Sequence, residues 1–157
     1  MMSKQRRLTL VLLVLLWLAP LQAFAQARLD RDGVTLYWGL VPGAIAEDKH
    51  ALADLHGGPR KDGGEVHHLV VAVFDTASGR RIGNAIVRAQ LTESGVVDEA
   101  PKYLPQMPVN GQMSYGQWFT TVAKRGPYRF QVWIKLPDRP VEIEFVVSAG
   151  APRGGER

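Results

Sequence analysis

Gln106-Met-Pro-Val-Asn-Gly-Gln-Met-Ser-Tyr-Gly-Gln-Trp-Phe119 places an Asn-Gly pair between two runs that read as strands. A type I′ turn needs positive φ at both central residues, and Asn-Gly meets that need well. With Val109 and Gln112 flanking the turn, Pro108 falls opposite Met113, and Met107 falls opposite Ser114. Met107 and Met113 are the only methionines beyond Met1 and Met2, while the four histidines, His50, His56, His67 and His68, all lie upstream of the hairpin.

Outward from the hairpin, the chain continues to read as β. Val66 to Asp75 is an apolar run whose two-residue period sends His68 to one face with Val70, Ala72 and Phe74, and His67 to the other with Leu69, Val71 and Val73. Only one of the pair can therefore enter a given site. Val34 to Leu40, Arg81 to Leu91, Tyr128 to Leu136 and Val141 to Val147 are further strand candidates, the last two alternating apolar and polar residues. Ala44 to His56 has a short helical pattern closed by Gly57, with His50 pointing about 120° away from His56 on the wheel. Gly57 to Gly64 reads as a loop. The sum is an all-β, immunoglobulin-like antiparallel β-sandwich of about seven strands with one short helix, in a single domain over residues 26–148.

The N-terminus carries Lys4, Arg6 and Arg7, then the apolar run Leu8 to Leu18, then Ala23-Phe24-Ala25. That is the pattern of a cleaved signal peptide over residues 1–25, with an apolar segment too short to span a bilayer. Export to a periplasm follows as the expectation, with no membrane span after cleavage. Loss of this leader removes three basic residues and lowers the formal charge from +4 to +1, so no nucleic-acid partner is implied. The chain has no Cys, hence no lipidation site, no disulfide and no thiolate ligand. Residues 149–157 are rich in Gly and charge and read as a disordered tail.

An enzyme is not expected. There is no Cys nucleophile, no Gly-x-Ser-x-Gly elbow and no His-Glu-x-x-His, and the glycines of residues 57–64 lack the Gly-Lys-Ser/Thr of a phosphate loop. Metal binding fits the residue types better. Imidazole suits copper and zinc, a thioether selects copper and Cu(I) above all, and an exported chain without thiolates must hold soft metals by Met and His. The candidate ligands are His68, Met107, Met113, His67 and His56, with Met107 and one histidine of the Val66 to Asp75 strand as the preferred core. Each has a plainer alternative: Met fills gaps in cores, and a strand histidine can be a satisfied core residue. A metal-free accessory module is the second functional reading, with Tyr115, Trp118 and Trp133 as its contact surface for a protein partner.

His68-Leu69, Met107, Tyr115-Gly116, Gly126-Pro127-Tyr128 and the Pro137 region together resemble the periplasmic high-affinity iron transport proteins, a family that includes a treponemal lactoferrin-binding lipoprotein. The resemblance runs over Glu65 to Pro140. It implies an immunoglobulin-like sandwich, a copper site of Met, two His and a Glu, and a part in iron or copper transport beside an inner-membrane permease. Val70 and Ser114 stand where that pattern has the Glu and the second His. The implied site therefore reduces to His68 and Met107, holding Cu(I) or Cu(II), with Met113, His67 or His56 available to complete a rearranged set.

Overall fold

A computed structural model describes residues 27–43, 65–93, 99–121 and 127–150. The expected leader, the helix over residues 44–56 with His50 and His56, the loop over 57–64 and most of the tail lie outside these residues.

Nine strands are present among the described residues: β1 (Arg28–Arg31), β2 (Val34–Pro42), β3 (Glu65–Asp75), β4 (Ile86–Thr92), β5 (Lys102–Tyr103), β6 (Gln106–Val109), β7 (Gln112–Thr121), β8 (Tyr128–Lys135) and β9 (Ile143–Ala149). They form two antiparallel sheets, one ordered β1-β2-β3-β7-β6 and the other β5-β4-β8-β9. The fold is an immunoglobulin-like β-sandwich. Two strands exceed the expected seven, and both are short edge pieces, β1 and β5. β1 is joined to β2 by Asp32-Gly33, with φ of 49° and 75°, a second hairpin turn of the same chemistry as Asn110-Gly111 at 50° and 74°. The expected strand over Arg81 to Leu91 is shorter than its apolar pattern. Arg81 makes only an isolated bridge to Phe74, and regular pairing starts at Ile86, where the chain has crossed to the other sheet.

The core lies between the sheets. From the five-stranded sheet it takes Val34, Leu36, Leu69, Val71, Val73, Tyr115 and Phe119, and from the other Val87, Phe130, Val132, Ile134 and Phe145, all nearly fully buried. Burying each such Val, Leu, Ile or Phe side chain contributes ~1.5–3 kcal/mol relative to exposure. Phe119 meets Phe130 edge to face across the sandwich, ring centres 5.1 Å apart. Tyr115 closes the corner between sheets: its hydroxyl accepts from the Ala85 amide at 2.9 Å and donates to the Ile82 carbonyl at 3.1 Å. With the odd-numbered residues of β3 and β7 filling this core, their even-numbered residues face outward. The outer face of β3 and β7 is where two of the candidate ligands, His68 and Met107, converge.

Candidate metal centre

Three neighbouring strands build the site. β3 pairs with β7, setting His68 level with Trp118 and Val70 level with Gly116. β7 pairs with β6, setting Met107 level with Ser114 in the register that the Asn-Gly turn dictates. His68 and Met107 therefore flank β7 from opposite sides, level with positions two residues to either side of Gly116. Their side chains lean toward each other across that glycine. A Cβ built at Gly116 would lie 2.5 Å from the Met107 sulfur, 2.5 Å from His68 Cε1 and 3.1 Å from His68 Nε2. The missing side chain of Gly116 is the space in which sulfur and imidazole meet. Bonds from a metal to imidazole nitrogen and to sulfur are about 2.0–2.3 Å, so one ion can reach both donors from that cradle.

The pair is sheltered. His68 is 1% and Met107 3% exposed, and the Trp118 ring packs on the His68 ring at 4.7 Å between centres, edge to face. Trp118 Nε1 is itself buried without a hydrogen-bond partner. An imidazole and a thioether fit copper, and Cu(I) in particular, because a thioether adds little affinity for harder ions.

The other candidate ligands are elsewhere. His67 projects into the core side of β3, its ring tilted against that of Tyr128 at 5.1 Å between centres and its Nε2 3.6 Å from the Glu65 carboxylate. Burial pushes its pKa below the usual 6.5, against the upward pull of Glu65. It is a core histidine, kept neutral. Met113 is half exposed on the opposite face of β7 from Ser114, its Cβ and Cγ packed near Gly83. Neither residue reaches the Gly116 cradle, and His56 lies outside the described residues. Among the described residues no group of three or more His, Cys, Asp or Glu is assembled for a metal.

Three residues beyond the candidate ligands also shape the site. Gly116 makes the space, and its position inside a run of bulky residues was the available signal, since a glycine within a strand often marks a close approach. Trp118 covers His68. Arg81 reaches across from the β3–β4 connection and donates from Nη1 to the Met113 carbonyl at 2.7 Å and to Ser114 Oγ at 2.9 Å. No pattern in the sequence pairs Arg81 with Ser114.

Beside the site, the outer face of the sheet is hollowed into an open groove of about 710 Å³, lined among others by Tyr37, Gly39, Val70, Ala72, Phe74 and Ser114. Its floor is low at Gly39, which has no side chain beside its strand partner Val70.

No protein-family model matches this chain, and no curated protein does. Among the described residues no helix is long and apolar enough to cross a membrane.

Proposed function

We propose that this chain is a periplasmic copper-binding protein that serves metal transport or delivery, with His68 and Met107 holding the ion. The observation that carries the proposal is the meeting of the Met107 sulfur and the His68 ring over Gly116. Strand pairing alone does not require it, since the two residues sit on strands separated by β7. A buried imidazole and thioether suit a soft ion held for transfer. The signal-peptide pattern supports the compartment, and the resemblance noted above supports a role beside an inner-membrane permease in iron or copper uptake.

Competition titration with Cu(I) tests this. His68→Ala and Met107→Leu each weaken binding tenfold or more, while Met107→Leu, nearly volume-conserving, costs less than about 1.5 kcal/mol of stability. Wild-type affinity in both variants would remove the proposed site.

The second reading, a metal-free accessory module, changes shape. Tyr115 is core and Trp118 is buried on the other face of β7, while Trp133 belongs to the four-stranded sheet, so the three share no surface. Its support is now the outer face of that second sheet, where Tyr103 and Ile86 are 64% and 55% exposed beside Trp133. Purified protein that lacks stoichiometric metal yet retains a membrane partner favours this reading.

A further inference from the structure

Gly116 leaves a space with the His68 ring on one side and the Met107 sulfur on another, and Trp118 stands on a third. We propose that Trp118 contacts the bound Cu(I) directly, the face of its indole ring closing over the ion in a cation–π interaction. This inference rests on the copper reading above and deepens it.

Strand register brings the ring there. Ser114, Gly116 and Trp118 share the outward face of β7, so Trp118 is the next residue after Gly116 on that face, about 6.8 Å further along the strand. It is also level with His68. The His68 ring leans back from that level to Gly116, where its Cε1 comes within 2.5 Å of the position a Cβ would take. Trp118 keeps contact with it, at 4.7 Å between ring centres and 68° between ring planes. A metal bonded to an imidazole nitrogen lies in the imidazole plane, about 2.0–2.1 Å from that atom. With the two planes so steeply inclined, an ion there stands out of the indole plane, toward a face of the ring.

The indole is not placed by its polar end. Trp118 is 5% exposed and its Nε1–H has no acceptor among the described residues, whereas a buried indole ordinarily finds one. What fixes the ring is the packing of its π system beside the cradle. Trp is the best of the aromatic partners for a cation, and the attraction is greatest where both are out of water. The burial of His68, Met107 and Trp118 together meets that condition. A π face offers negative potential without a lone pair. It therefore adds to a soft monovalent ion already held by nitrogen and sulfur, and does little for an ion that demands further N or O donors.

The test is Cu(I) competition titration of purified protein grown with tryptophan, fluorotryptophan or difluorotryptophan. Fluorine withdraws electron density from the ring face with little change in its size. Cu(I) affinity falls stepwise with each added fluorine, and the same labelling of Trp118→Phe changes nothing. Trp118→Leu, which has no π face, weakens Cu(I) binding about thirtyfold, equivalent to ~2 kcal/mol, and Trp118→Phe, with a smaller face, weakens it less. A ring that only props His68 would lose affinity on truncation yet be indifferent to fluorine. If Cu(I) binds but fluorination leaves its affinity unchanged, or Trp118→Leu keeps wild-type affinity, the cation–π contact falls and the His68–Met107 site stands. Should Trp118→Leu fail to fold, the fluorinated wild-type proteins decide. If folded wild-type protein binds no Cu(I), both fall together.

Discussion

Gly116→Ala is the substitution that bears most heavily on this geometry. The added methyl would stand 2.5 Å from both the Met107 sulfur and His68 Cε1, more than 1 Å inside ordinary contact distance. Both neighbours are buried, so neither swings aside without disturbing packing; overfilling of this kind costs ~1–3 kcal/mol. Replacing glycine by alanine in a strand returns ~0.5–1 kcal/mol of backbone entropy. The net expectation is a loss of up to ~2.5 kcal/mol, with imidazole and sulfur driven apart and Cu(I) affinity down tenfold or more. Gly39→Ala is the matched control. It lies in the same cross-strand row, two strands away through Val70, yet a Cβ there meets nothing within 4 Å. That variant should be neutral or stabilised by ~0.4–1 kcal/mol with unchanged metal affinity. Urea unfolding of the metal-free proteins and Cu(I) competition on the folded ones measure the two effects separately. If Gly116→Ala behaves like Gly39→Ala in both assays, sulfur and imidazole do not share that space.

Two further outcomes follow from the core. His67 binds a proton less readily folded than unfolded, so between the usual 6.5 and its lower folded value the unfolded chain carries the extra proton and stability rises with pH. Its contribution is complete above 6.5 and is lost as pH falls through the folded value. The urea midpoint should drop between about pH 7.5 and about pH 5, and more steeply in wild type than in His67→Gln; equal slopes would show that His67 is not buried neutral. Asp30 and Asp75, held below the usual 3.8 by hydrogen bonds from Thr35 and Ser78, act only at more acidic pH and do not blur that window. Tyr115→Phe removes the hydroxyl between Ala85 and Ile82 and strands a buried amide, which costs ~1–3 kcal/mol by urea unfolding; a loss below a few tenths would mean the corner closes without it.

Local chemistry explains which parts of the fold were legible. The Asn110-Gly111 turn sets the β6–β7 register, and the two-residue period of β3 separates His67 from His68, because both depend on a few adjacent residues. The Asp32-Gly33 turn carried the same signal, but β1 is short and wholly exposed, with no apolar alternation to mark it as a strand. The start of β4 was misplaced because the apolar character of Ile82 and Ala85 comes from packing at the crossing between sheets. The site was half legible. Strand parity separates His68 from His67 and sets Met107 against Ser114, whereas the outward face of both ligands and their meeting depend on sheet packing, on β7 lying between β3 and β6 and on Gly116 being empty there. Strand order and the reach of Arg81 to Ser114 are long-range facts, and no short window of residues encodes them.

X-ray absorption at the copper edge of the Cu(I)-loaded protein probes the shared site most directly. The expected spectrum has one sulfur scatterer together with an imidazole nitrogen in wild type, and the sulfur shell disappears in Met107→Leu. A wild-type spectrum built from nitrogen and oxygen alone, or protein that takes up no copper, would contradict the pairing of His68 with Met107.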